Sequence, residues 1–296
     1  MAASRRAVLL GAVGVGAVGV VGIGVGVEQG VLPGRPTLQE KLGLNGEPGR
    51  VPDVSPGRLE SGSFVSRARG GAETGWTIAR PPGAASGLPV LVVLHGLGND
   101  HRSAMGRHLG LDRFLASGAR HGLPPFAVAS VDGGTTYWHR RPDGEDAGRM
   151  VLEEFLPLLA RKGLVTDRVG LLGWSMGGYA ALRLGALLGP DRCAAVVAES
   201  PALWTEGADA SRSGFRDARE YAEFSVFGHQ QDLAGIPVRI DCGTGDPFYR
   251  ATQEYVDGFP PDHRPAAHYQ PGAHNQAYWR RMAPAQLRFV GRHLAG

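Results

Sequence analysis

Lysine is almost missing from this chain of 296 residues: only Lys41 and Lys162 occur. Arginine carries nearly all the positive charge, and the formal net charge is only +3. No basic stripe with interleaved aromatics is present, so the footprint of a nucleic-acid binder is missing. Cysteine is equally scarce, with Cys193 and Cys242 alone. Two cysteines exclude a disulfide-dense scaffold and a thiolate metal cluster. Cys193 opens the strand-like run Ala194–Ala198, and Cys242 closes the run Val238–Asp241. In neighbouring parallel strands the two sulfurs would lie near opposite ends, on the order of 15 Å apart at the strand rise. A disulfide requires Cα atoms within about 7 Å, so two free, largely buried thiols are expected. His95, His101 and His108 lack the carboxylate partners and spacing of a metal site. No motif implies a cofactor.

Charge is absent from one long stretch, Ala7 to Val27. Arg5-Arg6 precede it, and Glu28 ends it. A pair of arginines before a moderately apolar run fits a twin-arginine export signal. About 20 residues is also just enough to span a bilayer. Seven glycines between Gly11 and Gly26 argue against a buried core helix. Residues 1–30 are therefore expected to be a cleaved signal or an N-terminal anchor, with possible membrane association through residues 7–27. Either way the arginines stay inside and the body of the chain lies outside the cytoplasm.

What the chain does have is an apolar fraction of 43%, enough for a sizeable core. Residues 31–60 carry Pro33, Pro36, Pro48, Pro52 and Pro56, which predicts an extended linker or a strap over the domain surface. Residues 62–66 and 75–80 predict an antiparallel pair. Apolar runs at 89–94, 126–131, 168–172, 194–198 and 237–242 predict buried parallel strands, and 150–159 has helical spacing. Alternating β and α elements imply an α/β fold over residues 61–296, a mostly parallel central sheet with helices on both faces. Residues 203–230 break the alternation and predict a short cap insertion near the site.

Chemistry concentrates at Gly173-Trp174-Ser175-Met176-Gly177-Gly178. A strand-like run precedes it and a helix-forming run follows. This is the context of a nucleophile elbow: a strained turn that projects the Ser175 hydroxyl, with glycines allowing strand and helix to approach. In a chain with 46 glycines the bare pattern can arise by chance, and the strand–turn–helix context is what gives it weight.

A serine hydroxyl needs a base, and the base an orienting acid. The order along the chain should be nucleophile, acid, histidine. Asp246 follows the strand ending near Cys242, with Glu199 and Asp241 as competing acids. His274 lies in a loop before a helix starting near Gln276, with His268, His263 and His229 as competing bases. The oxyanion hole requires two backbone amides. Met176 supplies one, and Leu97, in the loop His95-Gly96-Leu97-Gly98, is the expected second. His95 is expected to brace that loop. Trp138 and His139, after another strand end, and Trp204 are candidate walls of a substrate pocket.

These residues resemble the esterase branch of the α/β-hydrolases, the group that includes esterase D and the antigen 85 mycolyltransferases. The resemblance spans roughly residues 60–294 and rests on the His95-Gly96-Leu97 loop, the Ser175 elbow, and the Asp246 and His274 loops. It implies the α/β-hydrolase fold and supports Leu97 and Met176 as oxyanion donors. The antigen 85 type uses a glutamate where this chain offers Asp246, which weakens any carry-over of mycolyl transfer. The leader and the Gly/Ala/Arg-rich composition resemble an exported actinobacterial envelope protein.

The expected function is an exported serine hydrolase that cleaves small or lipid carboxylic esters through an acyl-enzyme. An acyltransferase that moves the acyl group to a sugar or glycolipid hydroxyl would use the same residues. A catalytically silent, membrane-tethered envelope protein is the third reading, against which the complete Ser-Asp-His set stands.

Overall fold

Val90, Val92 and Leu94 alternate along the chain with Leu91 and Val93, and all five side chains are buried. A strand apolar on both sides needs cover on both faces. The computed structural model, which describes residues 35–84 and 86–296, provides it. The strands are β1 (Leu59–Ser66), β2 (Ala72–Ala79), β3 (Leu88–Leu94), β4 (Ala127–Val131), β5 (Leu164–Trp174), β6 (Cys193–Glu199), β7 (Val238–Gly243) and β8 (Ala266–Gln270). They form one eight-stranded sheet in the order β1-β2-β4-β3-β5-β6-β7-β8. β1 and β2 pair antiparallel, β2 pairs antiparallel with β4, and every pair from β4 to β8 is parallel. This is the architecture of the α/β-hydrolase fold.

The helices that matter are α1 (Arg35–Lys41), α2 (Leu111–Arg120), α3 (Ala147–Met150), α4 (Leu156–Arg161), α5 (Met176–Arg192), α6 (Ala218–Phe224), α7 (Tyr249–Asp257) and α8 (Gln276–Leu294). A π-turn, Val151–Phe155, joins α3 to α4. On one face Val90, Val92 and Leu94 pack with Phe155, Tyr179 and Leu182. On the other, Leu91, Val93 and Val197 pack with Phe114, Trp279 and Val290. Each buried aliphatic of this kind contributes roughly 1.5–3 kcal/mol. Because the six strands from β4 to β8 in this order run parallel, their following loops gather along one edge of the sheet, where a site can form.

Helix α1 stands in the segment expected to be extended. Its Gln39 is buried, with Oε1 3.4 Å from the Thr244 hydroxyl. A strap follows, tied by the Gly49 amide donating to the Ala277 carbonyl at 2.7 Å and by Arg113 donating to the Val54 carbonyl at 3.2 Å. Gly49 is required there, since a Cβ would sit 2.1 Å from the Arg281 nitrogen. The insertion between β6 and β7 contains α6, and its Trp204 and Phe215 pack on Tyr137. The leader expected over residues 1–30 lies outside the described residues. Among the described residues, no helix is long and apolar enough to cross a membrane.

Cys193 and Cys242 are free and buried. Cys193 starts β6, whereas Cys242 lies past the Glu199↔Asp241 register pair at the far end. Burial pushes the Cys193 thiol up to about 12, so it is not a nucleophile at neutral pH.

Candidate active site

β5 ends at Trp174 and α5 begins at Met176, so Ser175 is the single residue of the turn. Its backbone sits at φ 57°, ψ −121°, a region costly for any residue with a Cβ. The turn is pinned on both sides. The Ser175 amide donates to the Glu199 carbonyl at 3.0 Å, and the Ser175 carbonyl accepts from Ala202 at 2.9 Å. A Cβ at Gly173 would lie 2.0 Å from the Gly177 oxygen, and one at Gly177 would lie 1.9 Å from the Leu94 oxygen. Neither position can carry a side chain without moving the backbone.

The loops after β7 and β8 are stitched together. The Gly245 amide donates to the Gly272 carbonyl at 2.8 Å, and a Cβ at Gly243 would meet that oxygen at 2.3 Å. This contact brings Asp246 to His274. Asp246 Oδ2 lies 2.8 Å from His274 Nδ1, and His274 Nε2 lies 2.9 Å from Ser175 Oγ. Asp246 Oδ1 accepts the Phe248 amide at 2.9 Å, and the carboxylate is fully buried. A carboxylate only accepts, so Nδ1 carries the proton and Nε2 faces the serine hydroxyl as acceptor. Phe248 and Trp279 pack against the imidazole in edge-to-face geometry, with ring centroids 5.3 Å away in each case.

The N–H of Met176 opens α5, at the positive end of the helix dipole. Leu97 occupies a tight turn in which the Asn99 amide donates to the Gly96 carbonyl at 3.2 Å. That turn needs a positive φ at its third residue, and Gly98 supplies it at 75°. The Gly96 position is also restricted, with a Cβ there 2.8 Å from Trp174 Nε1. His95 braces the loop: its Nδ1 meets the Gly96 carbonyl at 2.9 Å, and its Nε2 accepts the Gly133 amide at 3.0 Å. Burial lowers its pKa, consistent with that neutral tautomer.

A cleft of about 540 Å³ opens over Ser175 and His274, with Leu97, Asn99, Trp174 and Trp279 in its walls. Trp138 and His139, expected as pocket walls, are fully buried and do not line it. Positive φ values of 57° and 59° at Tyr137 and Trp138 turn the chain inward. Trp138 then donates to the His95 carbonyl at 3.3 Å. His139 stacks on Phe224 at 4.3 Å, and burial lowers its pKa to about 4. Trp204 does not line it either, and its ring packs on Phe248 at 5.3 Å. The competing histidines stand elsewhere: His229 pairs with Asp232, His263 bonds the Leu233 carbonyl, and His268 is exposed on β8. His101 bonds Thr77 and His108 meets Gln276. Among the described residues, no group of three or more His, Cys, Asp or Glu side chains is arranged to hold a metal.

Residues 69–289 match the family model described as "Putative esterase". The chain belongs to this esterase family. It is an enzyme of the carboxylic-ester-hydrolase class. The matched span includes Leu97, Ser175, Met176, Asp246 and His274. Among solved structures, the esterase resembles an S-formylglutathione hydrolase from Agrobacterium tumefaciens, with a TM-score of 0.68 and 18% identity over 82% of this chain and 98% of that one. It also resembles a ferulic acid esterase, with a TM-score of 0.65 and 21% identity over 80% and 98%. A fluorophosphonate-binding serine hydrolase of Staphylococcus aureus matches with a TM-score of 0.63 and 17% identity over 80% and 99%. At these identities the likeness is one of fold. No curated protein matches the esterase significantly by sequence.

Beneath the elbow of this esterase lies a buried acidic pair, the two residues that compete with Asp246 in the sequence as triad acids. Glu199 and Asp241 are register neighbours on β6 and β7. Asp241 is held by Arg239 at 2.7 and 2.8 Å and by Gln286 at 2.8 Å. Glu199 Oε1 has no hydrogen-bond partner among the described residues. Burial, followed by the neighbouring Asp241 carboxylate, pushes the Glu199 pKa well above its ordinary value, which favours the neutral acid. A folded-state pKa raised above the unfolded value gives stability that is complete at low pH and lost as pH rises toward the folded pKa. Glu199→Gln keeps the shape and removes that loss. The melting temperature of the variant relative to the wild type is expected to rise between pH 5 and pH 8. A difference that stays flat across thermal melts in that range would contradict a neutral Glu199.

Proposed function

We propose that this esterase cleaves carboxylic esters through an acyl-enzyme on Ser175. The observation that carries the reading is the unbroken hydrogen-bonded line from Asp246 through His274 to Ser175. In the proposed cycle Ser175 Oγ attacks the ester carbonyl carbon while His274 Nε2 takes its proton. Asp246 holds the imidazole in the required tautomer and stabilises the imidazolium. The amides of Met176 and Leu97 receive the negative charge that develops on the carbonyl oxygen. His274 then returns the proton to the leaving alcohol oxygen as the C–O bond breaks. Water repeats the sequence on the acyl-enzyme, releasing the acid and restoring Ser175.

Water, rather than a sugar hydroxyl, is the proposed acceptor because the site is open. The His274 side chain is 23% exposed and Leu97 is 44% exposed at the rim of the cleft. A site that excludes water and binds a polyol would favour transfer. Ser175→Ala is expected to lower kcat on p-nitrophenyl butyrate by roughly 10⁴–10⁶-fold, and Asp246→Asn by roughly 10⁴-fold. Retention of turnover in Ser175→Ala would sink the serine mechanism. Acyl groups appearing on an added polyol in preference to water would move the reading to transfer.

We further propose that the catalytic domain works outside the cytoplasm. Support comes from Arg5-Arg6 and the charge-free run that follows them. Changing both arginines to lysine is expected to keep the esterase in the cytoplasmic fraction. Unchanged fractionation would contradict twin-arginine export.

A further inference from the structure

Resting on the esterase reading, we propose that the alcohol half of the substrate carries an anionic oxygen group, such as a carboxylate, bound by Arg102 and Arg107. The orientation follows from the mechanism. His274 gives its proton to the leaving oxygen, so the alcohol lies on the His274 flank of the cleft. The residues after His274 form that flank, and Gln276 is among them. Gln276 Nε2 lies 3.1 Å from the His108 ring. Arg280 locks the two segments together. It donates to Gln276 Oε1 at 2.8 Å, to the His108 carbonyl at 2.7 Å and to the Arg107 carbonyl at 2.6 Å. The flank is therefore a fixed seam between the start of α8 and the loop that carries Arg107.

His108 lines the cleft and also lines a second cavity of about 490 Å³. Arg102, Arg107, Asp100 and Ser103 border that second cavity. Both arginine side chains are exposed, and neither forms an ion pair or donates a hydrogen bond among the described residues. Asp100 is the nearby carboxylate that feels Arg102, and its Oδ1 already accepts the amides of Arg102 and Ser103 and the Ser103 hydroxyl. His108 adds no charge, because burial and Arg280 lower its pKa. Arg280 itself is spent on the seam. Two guanidinium groups thus border the cavity that adjoins the cleft through His108, with no hydrogen bond or ion pair of their side chains among the described residues, and their forked geometry matches a carboxylate. Set against the one Asp100 carboxylate, these two groups leave that cavity wall net positive, which raises the local concentration of an anionic substrate.

The test compares 3-acetoxybenzoate with its neutral methyl ester, and with monophenyl succinate, which puts the charge on the acyl side. The wild type is expected to favour 3-acetoxybenzoate through a lower KM. In Arg102→Gln/Arg107→Gln the ratio of kcat/KM for 3-acetoxybenzoate to that for its methyl ester is expected to fall roughly fivefold to tenfold. A general structural defect lowers turnover of both substrates alike and does not by itself produce that fall in the ratio. Salt is expected to erode the wild-type ratio without any substitution. An unchanged ratio in the double variant, or a preference that follows monophenyl succinate, overturns the proposal. If neither benzoate ester turns over, protection of Ser175 from a fluorophosphonate by 3-hydroxybenzoate decides: protection lost in the double variant supports it, and absence of protection in the wild type overturns it. Failure of the esterase reading itself would look different, as absence of fluorophosphonate labelling at Ser175 with no competitor present.

Discussion

Ser175 is held in a backbone conformation that a serine disfavours, at a cost of about 1–3 kcal/mol. The fold offsets that cost with backbone contacts that few other sequences would permit. Gly173 and Gly177 leave no room for a Cβ, so β5 and α5 close directly on the Leu94 end of β3. The amide and carbonyl of Ser175 are taken by the chain segment that follows β6. Together these contacts aim one hydroxyl out of the sheet edge and direct the start of α5 at the same point. The strain is therefore a property of three neighbouring strands, and it cannot relax through the loop alone.

A second close approach, Gly243 against Gly272, has the same character. It fuses the loops after β7 and β8, and the distance from Asp246 to His274 follows from it. Burial of the carboxylate leaves its Oδ2 directed at the imidazole, while its other oxygen is occupied by the Phe248 amide. Phe248 and Trp279 limit the ring's rotation from two sides. The imidazole can thus exchange a proton with Ser175 without losing its orientation, which is the pre-organisation that acyl transfer requires. Burial and the neighbouring Asp241 carboxylate raise the pKa of Glu199 next to this assembly, which disfavours a second negative charge beneath the elbow.

Much of the sheet was legible because a strand covered on both faces reads as a continuous apolar run, and those runs bracket β3, β4, β6 and β7. β5 extends to Leu164, beyond the run at 168–172, because Leu164 and Val165 pair with Leu88 and Pro89 across a register shift. That pairing has no apolar signature of its own. Ser175, Asp246 and His274 could be located because each follows a strand, or precedes a helix, within a few residues. Helix α1 was not legible, since a seven-residue helix amid prolines is fixed by contacts from Gln39 to the distant β7 loop. The cleft walls are the part of the site least legible in the sequence. Trp138 and His139 follow β4 on the catalytic edge, but the positive φ values that fold them inward leave no trace in the residue types. Asn99, Trp279 and the His108–Gln276–Arg280 seam join segments far apart in the chain, so no local pattern announced them.

The central claim is that the acyl group passes through Ser175, and the most direct measurement is to catch it there. Acid-quenching the esterase during turnover of a slow aryl ester, followed by peptide mapping by mass spectrometry, reads the acylated residue. The account predicts one acyl group on the peptide containing Ser175, accumulating in the first turnover and chased by water. Turnover with the acyl group on another residue, or with no covalent acyl group on the enzyme at any quench time, would contradict it.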